Sequence, residues 1–395
     1  MVMLQNQNFS SCLPTNVQFG LDIVKNELPR EIRLANKSRV FIATDAGLVK
    51  AGLIESITTN LTKNEIESVV FSEVEPNPQA ETVMRGATLY NQESCDMIIA
   101  IGGGSSMDLA KAVGVVVSHS GHILDYRRGE KAVTNPIPLL FAIPTTVGTG
   151  SEVTAVAVVT DPTVGRKYVV AAPYLIPETA FIDPLMTATL PKHHVSATAI
   201  DALVHAIESY TSVRATPITD GLALQAIRMI KENLPASYAN PNNLEARAQI
   251  HLASTIAGMS FGLAGLGLVH SCSHPMSAVY NVAHGVANAI LLPHVVEYNL
   301  ISNIKKYADI ARIFQPELVL KDDQTTANEL FGLLTSFTAS VDIPKDFSYL
   351  GIEVTDDVID RLANDAMDDK GTIPTNPRKV YKEDVVKIYS KVLPR

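Results

Sequence analysis

The chain has no tryptophan and only three cysteines, Cys12, Cys95 and Cys272. None of them forms a C-x-x-C pair. A sparse, odd set argues against a disulfide framework and fits a reducing cytoplasm. Charge is also scarce, at 18% of residues, and its balance is acidic, with a net charge of −9. An acidic chain is a poor match for nucleic acid or an anionic membrane as its main partner. No uninterrupted run of about 18 apolar residues occurs, so no membrane span is expected. The opening MVMLQNQNFSSC lacks a basic n-region and an apolar h-region, so no signal peptide is expected. Internal repeats, low-complexity tracts and long charge runs are missing too.

What is present is apolar and long. Hydrophobic residues make up 46% of 395 positions, enough for a large core and two or three domains. Residues 1–30 predict an edge strand or hairpin at most. Beyond them, short apolar runs alternate with helical patterns. RVFIATD (39–45), ESVVFSEV (67–74), CDMIIAI (95–101) and a run within 137–154 read as buried strands. Helices are expected from Leu48 to about Asn60, from Gln79 to Asn91, and after Gly104. This alternation predicts a doubly wound parallel sheet. After 167–184, a strand-rich stretch punctuated by Pro173, Pro177 and Pro184, the period turns helical from Pro191 nearly to the end. The expected division is an α/β domain over 1–184 and an all-helical domain over 185–395.

Two loops in the first part follow strands and are rich in small residues. One is Gly102-Gly103-Gly104-Ser105. The other runs through Thr145, Thr146, Gly148, Thr149, Gly150 and Ser151. Backbone amides at a helix start can hold a phosphate, and two such loops suggest a split pyrophosphate cradle. Tight turns need the same residues for backbone reasons, so both readings stay open. The G-x-G-x-x-G fingerprint is absent, because Met107 takes the third glycine position. Asp45 ends a strand, where an acid can accept ribose hydroxyls of NAD. It precedes the glycine loop rather than following it, which departs from the standard fingerprint. A plain Asp-Ala-Gly turn is the alternative.

The densest chemistry lies between Gly265 and His294. That window holds His270, His274, His284 and His294, four of the ten histidines. His270 and His274 are i,i+4 and share a helix face. His284 follows His270 by fourteen residues, a whole number of turns if the chain stays helical. Upstream, IDALVHAIESY places Asp201 and His205 i,i+4, with Glu208 one turn further. Two such helices can enclose one divalent ion. Spacing alone leaves a packing role and a metal role both open. Cys272, at i+2 from His270, faces away from the histidine face, which favours packing.

With these motifs in place the chain resembles the iron-dependent (group III) alcohol dehydrogenase family. The resemblance covers nearly the whole chain. It rests on GGGSSMDLAK (102–111), PTTVGTGSEVT (144–154), IDALVHAIESY (200–210), GLGLVHSCSHPMSAVYNVAHGVANAILLPHV (265–295) and NPRKVYKEDVVKIY (376–389). It implies an N-terminal dinucleotide-binding α/β domain and an all-helical metal domain. The implied metal ligands are Asp201, His205, His270 and His284. His274 is the implied neighbour of substrate and nicotinamide, and a candidate proton relay. The implied NAD positions are Asp45, Asn77, Gly102, Gly103, Gly104, Ser105, Thr145, Thr146, Thr149, Thr154 and Lys167. Val156, Phe261 and Leu266 fall beside the pocket, and Val156 favours a less polar substrate.

The family implies Fe(II), with Zn, Co, Ni or Mn able to use the same ligands, and a homo-oligomer, dimeric or larger. The expected reaction interconverts a small primary alcohol or diol and its aldehyde. A rival on the same fold is a metal-dependent carbon–oxygen lyase like dehydroquinate synthase. Its polyanionic substrate would call for basic residues, yet no Lys or Arg lies between Arg247 and Lys305. A non-catalytic NAD-binding module is the other rival, disfavoured by the full metal set.

Overall fold

The computed structural model describes residues 9–394. The reading of the N-terminus as free of a signal peptide falls partly on residues 1–8, which lie outside the described residues. The chain packs as two compact units. One comprises Pro14–Val195 and Ala239–Gly258. The other comprises Ser196–Tyr238 and the chain from Met259 on, with the described N-terminal residues up to Leu13.

The first unit holds all eight strands of the described residues: β1 (Asn16–Phe19), β2 (Arg39–Ala43), β3 (Glu67–Phe71), β4 (Met97–Gly102), β5 (Leu140–Pro144), β6 (Val156–Asp161), β7 (Arg166–Ala171) and β8 (Thr179–Ile182). Six form one sheet in the order β1-β8-β5-β4-β2-β3, and every pairing in it is parallel. β6 and β7 form a separate antiparallel hairpin. The central strands are apolar without alternation because both faces are covered. Phe41, Ala43, Ile98, Ala100 and Ala142 belong to the core on one face. Val40, Ile42, Met97, Ile99, Ile101, Phe141 and Ile143 belong to the core on the other. Each fully buried aliphatic side chain contributes about 1.5–3 kcal/mol, so the middle of this sheet is a rigid platform for the loops at its strand ends.

Two local expectations are corrected. The N-terminal segment does supply the edge strand β1, but two short helices follow it, Ile23–Asn26 and Leu28–Leu34. The expected helix from Leu48 to Asn60 is two helices, Ala46–Lys50 and Leu53–Lys63. Gly52, at φ +76°, breaks them apart in a left-handed conformation that glycine adopts without steric cost.

From Lys192 onward the regular structure of the described residues is helical. Four helices matter for the site: Lys192–Thr211, Leu244–Ala264, Leu268–Tyr280 and His284–Asn299. Among the described residues no single helix is long and apolar enough to cross a membrane.

Candidate active site

Asp201 and His205 project from one face of the helix Lys192–Thr211, as their i,i+4 spacing predicts. His270 lies in the first turn of the helix Leu268–Tyr280. The expectation of continuous helix from His270 to His284 is not met. The helix ends at Tyr280, Asn281 turns the chain at φ 54°, and His284 starts the next helix. The turn, not a whole number of helical repeats, brings His284 back to the others.

The result is a tight cluster around one carboxylate oxygen. Asp201 Oδ1 lies 3.9 Å from His205 Nε2, 3.9 Å from His270 Nε2 and 3.8 Å from His284 Nε2. The ligand atoms of Asp201, His270 and His284 all lie within 4.8 Å of one another. The rings of His205 and His270 stack at 4.8 Å. Asp201, His205 and His270 are buried, whereas the His284 side chain keeps 38% of its surface exposed.

The electrostatics favour a cation. Burial alone would raise the Asp201 carboxyl, but His205, His284 and His270 beside it hold it below the usual range. Burial pulls His270 and His284 below the usual imidazole range, and Asn288 Nδ2 lies 3.2 and 3.1 Å from their Nε2 atoms. Asn288, four residues after His284, donates from Nδ2 to Asp201 Oδ1 at 2.6 Å. Among the described residues its own buried Oδ1 has no hydrogen-bond partner. A carboxylate and imidazoles converging on one point, with an unmatched carbonyl oxygen beside them, is a donor set that fits a divalent ion.

Glu208 lies two turns beyond Asp201 on the same helix. Its Oε2 is 2.6 Å from His270 Nδ1, and its Oε1 accepts the Val269 backbone N–H at 2.6 Å. Burial pushes this carboxyl up to about 7 against the pull of the surrounding N–H groups.

His274 lies one turn beyond His270, its side chain 50% exposed. Its ring stacks on His284 at 5.5 Å, and its Nδ1 meets Asp369 Oδ2 at 2.8 Å. Asp369 is held in turn by the backbone N–H groups of Gly371 and Thr372. Burial would raise its carboxyl, but the His274 hydrogen bond and charge hold it well below the usual range. His294, the fourth histidine of the window, packs edge-on against Phe331 instead. Phe261 lies against the His205 ring at 4.4 Å, and the Leu266 carbonyl accepts the Thr375 hydroxyl.

In the first unit the two glycine-rich loops lie side by side, because Gly102 of β4 pairs with Pro144 of β5. Thr145 N–H donates to the Gly102 carbonyl at 3.0 Å. A Cβ built on Gly103 would stand 3.2 Å from Thr146, and one on Gly104 would stand 3.0 Å from Thr149. Gly102 has φ +148°, and a Cβ there would lie 2.2 Å from Ser106 Oγ. Only glycine fits that approach. The Asn77 N–H donates to Ser105 Oγ at 3.3 Å, so another expected cofactor residue joins the first loop. Asp45 caps the helix Ala46–Lys50, accepting Gly47 and Leu48 N–H at 2.8 and 3.0 Å through Oδ1. Its turn-forming role is thus present, with Oδ2 left facing the Gly102 side.

Lys111, fully buried on the helix Gly104–Ser118, holds the second loop from below. Its ammonium donates to the Ser151 carbonyl (2.7 Å), Ser151 Oγ (3.0 Å), Thr154 Oγ1 (3.3 Å) and the Val156 carbonyl (2.9 Å). Burial pulls this lysine down to about 8, partly offset by Asp108 and Glu152. Burial also lowers Lys167, whose charge is supported by Asp108.

The site residues missed from sequence are therefore Asn288, Asp369 and Lys111. Asn288 was visible as i+4 from His284. Nothing in the sequence links Asp369 to His274, 95 residues away.

The chain matches two family models: iron-containing alcohol dehydrogenase over residues 14–184, and the C-terminal part of the Fe-containing alcohol dehydrogenase family over residues 195–393. It is 37% identical over 379 residues to a 1,3-propanediol dehydrogenase from Klebsiella pneumoniae, covering 95% of this chain and 97% of that one. It is 35% identical over 381 residues to an NAD-dependent methanol dehydrogenase from Bacillus methanolicus, covering 96% and 99%. The crystal structure of a 1,3-propanediol oxidoreductase superposes with a TM-score of 0.93 at 35% identity, covering 97% of this chain and 99% of that one. With the Asp–His cluster and the parallel sheet in place, these matches show that the chain belongs to the iron-containing alcohol dehydrogenase family.

Proposed function

We propose that the chain interconverts a small primary alcohol or diol and its aldehyde, transferring hydride to and from NAD. Its general class is that of a metal-dependent, NAD-linked oxidoreductase acting on small alcohols or aldehydes. The single observation that carries the finer reading is the convergence of three imidazoles on one oxygen of Asp201. His205 serves with Asp201, His270 and His284 as a ligand, and Fe(II) is the ion the family favours. When bound, such an ion supplies Lewis acidity that lowers the pKa of an alcohol oxygen.

The chain's own residues do the rest. Asn288 fixes the Asp201 carboxylate. His274, partly exposed and held at Nδ1 by Asp369, is suited to carry the released proton to solvent from Nε2. Phe261 and Leu266 give the substrate an apolar lining. In the sheet unit, Gly102 to Ser105, Asn77, Thr145, Thr146, Thr149, Thr154 and Lys167 cradle the dinucleotide, and Asp45 takes the ribose. Relatives named for 1,3-propanediol and methanol support a short primary alcohol.

The test is an NAD-linked activity panel of two- to four-carbon alcohols, diols and aldehydes on protein of measured metal content. Turnover that tracks metal content is expected for the wild type, and His270→Ala should lose both. Stoichiometric metal retained by His270→Ala would remove the ligand assignment.

A further inference from the structure

Glu208 stands outside the ligand set, yet both of its carboxylate oxygens are spent on the element that carries His270. The helix Leu268–Tyr280 begins at Gly267 with no side-chain cap of its own. Its first N–H groups find partners elsewhere in the unit. Leu268 N–H donates to Asn376 Oδ1 at 3.2 Å, and Val269 N–H donates to Glu208 Oε1 at 2.6 Å. The other Glu208 oxygen faces His270 Nδ1 at 2.6 Å. When Glu208 is ionised its oxygen has no hydrogen to give, so Nδ1 carries the proton and donates. Nε2 then carries the lone pair, and Nε2 is the nitrogen that faces Asp201. Glu208 has little room to move: a Cβ on Gly267 would stand 3.0 Å from its Oε1.

We propose that Glu208 is the positioning residue of the metal centre, fixing the tautomer and ring angle of His270 while capping the helix that presents it. The inference rests on the reading that a divalent ion is held by Asp201, His270 and His284. An amide cannot reproduce this arrangement. In Glu208→Gln, either the amide NH₂ faces the Val269 N–H, donor against donor, or it faces His270 Nδ1. The second orientation moves the ring proton to Nε2 and removes the lone pair from the site. Loss of a partner of this kind typically costs 10–100-fold in metal affinity.

The experiment is Co(II) binding to the stripped full-length protein, read by chelator competition and by the visible d–d spectrum. Asn376→Ala is the control, since Asn376 serves the same helix start without touching His270. Glu208→Gln should weaken Co(II) binding about 10–100-fold and shift the cobalt spectrum. Asn376→Ala should lower the melting temperature and leave both readouts unchanged. A Glu208→Gln affinity within twofold of wild type, or an equal loss in Asn376→Ala, overturns the proposal and leaves Glu208 a helix cap alone. If Glu208→Gln does not fold, Glu208→Asp is measured in its place, with the same two outcomes. A wild type that binds no Co(II) overturns the metal reading itself.

Discussion

Gly285 presses directly on Ala197: a Cβ built on the glycine would stand 2.1 Å from the Ala197 carbonyl oxygen and 3.4 Å from the Asp201 Cβ. The start of the His284 helix can approach the Asp201 helix this closely only because that position has no side chain.

Gly285→Ala should therefore push His284 outward while His205 and His270 stay with Asp201. Overpacking of this kind costs about 1–3 kcal/mol. The expected result is a lower melting temperature together with reduced metal content after purification. Metal analysis and a melting curve on one preparation check it. Full metal occupancy in the variant would mean that His284 is not needed at the centre.

His274→Ala should behave differently. The residue's polar partner is Asp369, so its loss should leave metal content intact. Turnover should fall by roughly 10²–10⁴ if the proton passes through this ring. Asp369→Asn, which keeps the shape but weakens the hold on Nδ1, should fall between that variant and wild type. The pH–rate profile of each variant is the measurement, and an unaltered profile would return His274 to packing.

Asp45 should set the choice of dinucleotide. A 2′-phosphate beside its free oxygen would meet a like charge and lose the ribose hydrogen bonds. Wild type should prefer NAD, and Asp45→Gly should narrow the gap to NADP. Replacing an N-cap by glycine costs only a few tenths of a kcal/mol, so the melting temperature should barely move. The ratio of kcat/KM values for the two cofactors decides it, and an unchanged ratio would leave Asp45 a helix cap only.

His251 should contribute an acid limb to stability. It is fully buried, and burial pulls its pKa from 6.5 to about 3. Below 6.5 the unfolded chain takes up a proton that the folded chain refuses. Stability must then fall as pH drops from about 6.5 towards 3, by about 2 kcal/mol at pH 5. Denaturant titrations at pH 7 and pH 5 should show a smaller difference for His251→Leu than for wild type. Equal differences would mean that the ring is protonated in the native state.

The parallel sheet was legible because MIIAI and LFAIP are unbroken apolar runs, which only a strand covered on both faces tolerates. The Asp201–His205 pair was legible for the same kind of reason, a period of four on one helix. The path from His270 to His284 was not. It depends on Asn281 entering a left-handed turn, and in sequence that asparagine looks like any other. Asp369 was invisible because its partnership with His274 is purely tertiary. Gly285 was conspicuous only as part of a motif; its reason, the Ala197 carbonyl, exists only once two helices have packed.

Lys111 carries a lesson for redesign. One ammonium group gathers four oxygens from a six-residue stretch, Ser151 to Val156. That stretch is moulded by an internal scaffold before any small molecule arrives. A redesign of the proposed dinucleotide site should treat the lysine and its four oxygens as one fixed part. Variation is better spent at Asp45, beside Gly102 and outside the contacts of Lys111, where a change of charge need not disturb the mould.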